Sequence, residues 1–300
     1  MKNNNKLSVT VGIPTCYGGE SLVATVKSLR NSNEYGNAEI IIQADRTPIK
    51  PEVRKKLTDM GAEIYWNDKE GSQFKKLNQI IKRAKGDIFI FTQDDIIFDK
   101  SALSEIVNTF KENQMVTMIG TRVLPLPALT FFESAMTTML HIVDKTGRAW
   151  NKGDNHLMAS GRCLAFRTDF LRKYIMPETI VTGDAYLYLE NRRLGGEFTY
   201  TPKGIVYIRC PQTIKDQLGP SFRYQYSEQE LSKYFGDVKK EYEIPKNALI
   251  KAFLNVLTMN PVSTPFYVFV YIYTRVKKRS VAKVANTIWS VDSSTKAVNY

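Results

Sequence analysis

Two adjacent carboxylates, Asp94 and Asp95, stand at the end of an apolar run, KGDIFIFTQDD, over residues 85–95. Residues 88–92 (IFIFT) are mostly β-branched or aromatic and too few for a helix, so they read as a buried parallel strand. Two acids at the end of a core strand are costly unless a cation or hydrogen bonds compensate them. In an open α/β sheet the carboxyl ends of the strands form the crevice where ligands bind. A hard divalent cation that also holds a diphosphate would make that placement productive. Capping of a helix that starts near Ser101, or simple solvation, is the plainer alternative.

Composition narrows the chemistry. A net charge of +12 and a pI near 9.4 favour anionic partners such as nucleotide phosphates, anionic lipid or nucleic acid. Cys16, Cys163 and Cys210 lack metal-ligand spacing and are an odd number, so neither a zinc site nor a disulfide framework is suggested. With only His141 and His156, histidine-based metal or triad chemistry is disfavoured. The opening MKNNNKLSV has no apolar core of signal-peptide length, and a cytoplasmic chain is expected. The 300 residues suffice for one large domain, or for a domain with an appendage.

The elements that must position the acids follow from periodicity. Strands are predicted at 7–13, 39–43, 62–66, 88–92 and 115–120, then at 161–166 and 197–201, the last stopped by Pro202. Leu22, Val23, Val26 and Leu29 share a helical face, as do Phe74, Leu77, Ile81 and Ala84, and Leu103, Ile106, Val107 and Phe110. Further helices are predicted over 52–60, from Thr168, and over 184–194, closed by Gly195-Gly196. Such alternation points to a doubly wound parallel sheet with right-handed crossovers. After Pro127 the rhythm changes: 131–143 is apolar on most sides, and 145–155 reads as a polar, mobile connection.

Four pieces, in order, carry a resemblance. They are VTVGIPTCYGG with EIIIQAD downstream; Gly71-x-x-x-Lys75-Lys76-Leu77-Asn78 leading into KGDIFIFTQDD; SGRCLAFRTDFL; and TGDAYLYLENRRLGGEFTYTP. Together they resemble the inverting, family-two nucleotide-sugar glycosyltransferases of the GT-A fold. The resemblance, which covers about residues 6–202, implies an α/β, Rossmann-like, mostly parallel sheet flanked by helices, a domain placed at 1–235; a C-terminal helical, membrane-interfacial appendage over 236–300 is expected from that segment's own residues.

The same resemblance distributes roles. Asp184 matches the base that takes the acceptor's proton; an ordinary helix N-cap is its alternative. Asp95 matches the ligand of Mn²⁺ or Mg²⁺, and Asp94 either joins it or hydrogen-bonds the ribose. Asp45 matches the acid that contacts the nucleoside, or is a loop acid in an Asx-turn. Pro14, Thr15 and Tyr17 would line the base pocket, and Lys75 or Lys76 would add charge near the phosphates. Arg223 would grip the leaving diphosphate, and Gly161 would let the backbone approach the sugar or acceptor closely. Four positions depart from the family pattern: Gln93 stands at the first place of its Asp-x-Asp, Gly183 where it has Glu, Tyr17-Gly18 where it has Asn-Glu. Residues 220–224 (PSFRY) lack the Gln of the processive Gln-x-x-Arg-Trp, which argues against long-chain polymer synthesis.

The expected function is metal-dependent transfer of a sugar, with inversion, from a nucleotide-diphosphate sugar (UDP-sugar first) to a glycan or lipid-linked acceptor. The expected place is the cytoplasmic face of the membrane, peripherally bound. Residues 252–274 are uncharged, but Pro261 and Pro265 break them into two pieces too short to span. Phe266, Tyr267, Phe269, Tyr271 and Tyr273 suit the headgroup level, and Arg275, Lys277, Lys278 and Arg279 suit an anionic surface. Packing of these pieces as ordinary core is the alternative. Competing readings are a nucleotidyltransferase, though GIPTCYGGES supplies no basic signature, and a non-catalytic scaffold, for which Gln93 speaks. No nucleic-acid partner is expected, since no basic–aromatic module is recognised.

Overall fold

Every residue of the segment Val9–Thr15 is buried, and that strand, β1, becomes the middle of a sheet covered on both faces. The computed structural model describes residues 7–16, 18–277 and 294–298. The remaining strands are β2 (Glu39–Asp45), β3 (Ala62–Asn67), β4 (Ile88–Thr92), β5 (Ile96–Phe98), β6 (Val116–Pro125), β7 (Cys163–Arg167) and β8 (Glu197–Ile208). They form one sheet in the order β3-β2-β1-β4-β7-β6-β8-β5. The first four run parallel, as the alternation of strands and helices requires. Beyond β4 the sheet is mixed, since β7 pairs antiparallel with both β4 and β6, while β8 runs parallel to β6.

Helices α1 (Glu20–Arg30), α2 (Pro51–Asp59), α3 (Gln73–Arg83), α4 (Ala102–Glu112), α5 (Phe131–Ala149), α6 (Thr168–Leu171) and α7 (Gly183–Arg193) connect the strands. Then α8 (Ile214–Phe235), α9 (Lys239–Tyr242), α10 (Lys246–Met259) and α11 (Ser263–Val276) follow the sheet. The apolar stripes sort to opposite faces. Leu22 and Val26 of α1, Leu57 of α2 and Ile106 of α4 pack under one face. Phe74 and Leu77 of α3, Leu187 of α7 and Leu231 of α8 pack under the other.

Three expectations need correction. The 145–155 stretch is not a loop throughout, because α5 continues to Ala149; its polar residues Asp144 and Thr146 turn inward, Asp144 to Arg122. The strand at 197–201 does not stop at Pro202. β8 absorbs it in a register shift, Thr121 facing Thr201 and Arg122 facing Ile205, and runs on to Ile208. The short strand β5 and the 22-residue helix α8, which carries Pro220 within it, were not anticipated by periodicity.

The apolar C-terminal segments do form two helices, α10 and α11, both packed on α5. Val270 is buried with Ala135 and Met136 there, so part of the core alternative holds. The outer sides stay open: Leu249, Ile250, Leu254, Met259, Phe269 and Ile272 are all exposed. Among the described residues no helix is long and apolar enough to cross a membrane. Lys278 and Arg279, half of the basic run, lie outside the described residues.

Candidate active site

Thr15 ends β1 and Thr92 ends β4, its parallel neighbour, so both strands deliver their last residues to one edge of the sheet. The turn Gln93-Asp94-Asp95 follows directly and leads into β5. Both carboxylates are 5% exposed and both are compensated, as burial demands. The Thr15 hydroxyl donates to Asp94 Oδ2, while itself accepting from the Gly18 amide at 3.0 Å. The Lys296 ammonium donates to Asp94 Oδ1 and, at 3.0 Å, to Asp95 Oδ2. Thr295 Oγ1 adds a donor to Asp95 Oδ2 at 3.3 Å. Burial opposes the Lys296 charge, but Asp94 and Asp95 outweigh it and hold its pKa above the ordinary lysine value. Asp95 Oδ1 is buried and meets no partner among the described residues.

A second acid ends β2. Asp45 Oδ2 accepts from the Gly71 amide at 2.8 Å and from Lys76 Nζ at 2.7 Å; Asp45 Oδ1 has a longer approach, 3.4 Å, from Arg46 Nε. The lysine of this site is therefore Lys76, which the first turn of α3 turns inward. Lys75 is half-buried with its stem against Gly71, where a methyl group would meet Lys75 Cδ at 2.8 Å. Its amide donates to the hydroxyl of Ser72, the N-cap of α3. Cys16 lies in this neighbourhood, its thiol pushed up by burial; Cys163 and Cys210, pushed to about 12 by burial, are core filling.

The third acid comes from the other side of the cleft. Asp184 is the second residue of α7, whose N-cap is Thr182, so the capping alternative does not describe it. Its Oδ1 accepts from its neighbour's amide, Ala185, at 2.9 Å, and its Oδ2 from the Gly161 amide at 3.3 Å. A Cβ at Gly161 would lie 3.4 Å from Asp184 Cβ and 3.7 Å from the Phe91 ring, in ordinary contact with both, so the backbone here runs close to the acid. The start of α7 is fixed by Glu230 of α8, a buried acid that accepts from the amides of Val181 (3.0 Å) and Thr182 (2.9 Å) and from the Thr182 hydroxyl (2.6 Å).

Arg162 joins the two sides. Its Nη1 donates to Gln93 Oε1 at 2.6 Å, and its carbonyl accepts from the Thr92 hydroxyl at 2.7 Å. Gly161, the contact of Asp184, is thus held one residue from the group that braces the Gln93–Asp95 turn. The anticipated Asp94, Asp95, Thr15, Asp184 and Gly161 are brought together, with Asp45 beside them at the next strand end. Pro14 is buried within β1, opposite Gln43 of β2. Tyr17 lies outside the described residues. Arg223 is half-buried on α8, and the hydrogen bonds of Asp94 and Asp95 come from Thr15, Thr295 and Lys296 instead.

The residues fit a divalent cation in part. Among the described residues no cluster of three His, Cys, Asp or Glu is arranged to hold a metal. Gln93, at the position where a further carboxylate would be a ligand, is turned to Arg162. The orphaned Asp95 Oδ1 is nevertheless an anionic oxygen without a donor, suited to a hard cation whose other ligands come from a diphosphate.

An α/β sheet with acids at the carboxyl ends of β2 and β4, and a helix-borne acid tied to them through Gly161 and Arg162, is the GT-A architecture. Mannosyltransferase PcManGT from Pyrobaculum calidifontis, solved in complex with GDP-Man and Mn²⁺, shares the fold at a TM-score of 0.56 and 13% sequence identity, over 93% of this chain and 78% of that chain. Residues 10–175 match the model of glycosyl transferase family 2, and the chain belongs to that family. No curated protein matches it in sequence. The matched stretch includes Asp45, Asp94, Asp95 and Gly161, and ends before α7 and Asp184.

Proposed function

We propose that this chain transfers a sugar from a nucleoside diphosphate sugar to an acceptor hydroxyl, with inversion at the anomeric carbon. The observation that supports this best is the contact chain from Asp184 to Gly161 and from Arg162 to Gln93, which ties a carboxylate of α7 to the turn that carries Asp94 and Asp95. The acceptor oxygen attacks the anomeric carbon as its proton passes to Asp184. The bond from that carbon to the diphosphate oxygen breaks, and its electrons leave with the diphosphate. Asp45, Pro14 and Thr15 take the nucleoside side. Asp95, through its unpartnered oxygen, with Asp94 beside it, would hold Mn²⁺ or Mg²⁺, which when bound neutralises charge on the leaving group as a Lewis acid.

UDP-sugars are the first donors in this reading; GDP-mannose joins them because the structural neighbour was solved with GDP-Man and Mn²⁺. The acceptor is a glycan or a lipid-linked sugar. The enzyme lies on the cytoplasmic face of the membrane, held by α10 and α11. Their exposed Leu254, Met259, Phe269 and Ile272 supply apolar contact, and Arg275 and Lys277 supply charge. The test is a screen of UDP-, GDP- and dTDP-sugars with and without Mn²⁺, reading nucleotide release and the anomeric configuration of the product. One donor giving an inverted product supports the reading. A retained configuration refutes the mechanism, and failure to bind any nucleoside diphosphate refutes the enzyme.

A further inference from the structure

The segment 294–298 returns to the sheet edge 200 residues after Asp95, and it is anchored there at several independent points. Val298 is buried with Ala24 and Ile97. Arg209, at the end of β8, donates from Nε to the Ala297 carbonyl at 3.1 Å, and its Nη1 pairs with the fully buried Glu133 at 3.0 Å. Gln212 reaches the Ser294 carbonyl at 3.3 Å through Nε2 and the Ser294 hydroxyl at 3.4 Å through its amide. Between these anchors, Lys296 projects its ammonium onto Asp94 and Asp95.

We propose that Lys296 is a donor-site residue: a fixed cation that receives the diphosphate of the nucleotide sugar beside Asp94 and Asp95. The inference rests on the donor reading given above. Two buried carboxylates with no cation would repel a diphosphate, and this chain has lost a carboxylate ligand at Gln93, so its capacity for a metal is reduced. An ammonium carries three donors, and among the described residues Asp94 and Asp95 take two. The third is left for a phosphate oxygen. The side chain is 15% exposed, enough to be reached from the cleft. Lys296 leaves Asp95 Oδ1 untouched, so the ammonium and a divalent cation can divide the acidic pair between them. The anchors distinguish a resident group from a loose plug, because a plug would have to surrender Val298 and the Arg209 and Gln212 contacts on every turnover.

The experiment is calorimetric binding of UDP and GDP to the full chain in EDTA and in Mn²⁺, for wild type, Lys296→Gln and Lys296→Arg, with thermal unfolding to verify that the variants fold. Wild type should bind one nucleotide in EDTA. Lys296→Gln should weaken that binding at least tenfold and regain part of it in Mn²⁺, whereas Lys296→Arg should keep most of it. Equal binding by wild type and Lys296→Gln in EDTA overturns the proposal. So does tighter binding or faster transfer in Lys296→Gln, which would make the ammonium an obstacle. Wild type that binds only with Mn²⁺, matched by Lys296→Gln, keeps the donor reading and removes Lys296 from it. Wild type that binds neither nucleotide under either condition overturns both.

Discussion

Replacing Asp184 by Asn separates chemistry from binding, because the amide keeps the shape and loses the basicity. The structural cost is small. Asp184 Oδ1 can keep its 2.9 Å bond from Ala185, and only the 3.3 Å contact from Gly161 to Oδ2 meets an NH₂ group instead. A long, part-exposed hydrogen bond of that kind is worth about 1 kcal/mol at most, so the fold should persist. Glu230 holds Val181 and Thr182 independently, so the start of α7 should stay in place. The chemical cost is larger. Loss of a general base removes on the order of a hundredfold in rate, or about 2.7 kcal/mol of transition-state stabilisation. In the proposed reaction Asp184 serves the acceptor and not the nucleoside or diphosphate, so donor affinity should change less than about twofold. The assay is kcat for transfer at saturating donor and acceptor, alongside calorimetric binding of the nucleoside diphosphate. Wild-type kcat in Asp184→Asn would show that Asp184 is no base. A parallel fall in kcat and nucleotide affinity would show that the change disturbed the donor site instead.

The remaining predictions concern the cation, acid stability and the membrane. Asp95→Ala should remove the increment that Mn²⁺ adds to nucleotide binding and leave the EDTA-resistant part; titration calorimetry reads both, and an unchanged increment would take the cation away from Asp95. His156 is buried between the rings of Trp150 and Tyr242 at 5.5 and 4.4 Å, and burial lowers its pKa from 6.5 to about 4. The unfolded chain therefore binds the proton first, and stability falls as pH drops from about 6.5 to about 4, by up to about 3 kcal/mol. Urea unfolding at pH 7 and pH 4.5 should show His156→Phe losing less stability over that range than wild type. Flotation with anionic liposomes should carry the protein at low salt and release it at high salt, and Arg275→Glu/Lys277→Glu should weaken it; a protein that never floats at low salt is not interfacial.

What the sequence made legible was whatever has a short period or a strand end. β4 could be read because five apolar residues stop at two acids, and α3 because Phe74, Leu77 and Ile81 recur at helical spacing. The same rules put Asp45, Asp94 and Asp95 at one edge, since parallel neighbours deliver their last residues to the same side. They could not choose between Lys75 and Lys76, as one position of helical rotation separates a half-buried stem against Gly71 from a buried partner of Asp45. They ended β8 at Pro202 because a proline removes a ladder donor, and a register shift on the partner strand is invisible in a single sequence. Lys296 carried no signal at all. It sits in a polar stretch without periodicity, and only the anchors of its neighbours bring it to acids 200 residues away.

The partners of the four acids suit them to different work in the proposed transfer. Asp45 is saturated on one oxygen by a buried lysine and a backbone amide, which fixes the carboxylate and leaves its other oxygen with the longer approach of Arg46, where the proposed nucleoside would bind. Asp94 and Asp95 share one ammonium between two charges, leaving the pair with a net negative charge and one oxygen with no donor. That combination draws further positive charge and suits the end of the donor where phosphate must be neutralised. Among the described residues Asp184 has no cation within its hydrogen bonds, which come from the amides of Gly161 and Ala185. Amides orient a carboxylate without quenching it as an ion pair does, which is why the proposed reaction assigns the acceptor's proton to this acid. Glu230 secures that arrangement from beneath by holding the backbone that carries α7 into the cleft. A lysine placed within reach of Asp184, at Gly161 for example, would turn the proposed base into another ion pair and should silence transfer while leaving Asp45, Asp94 and Asp95 as they are.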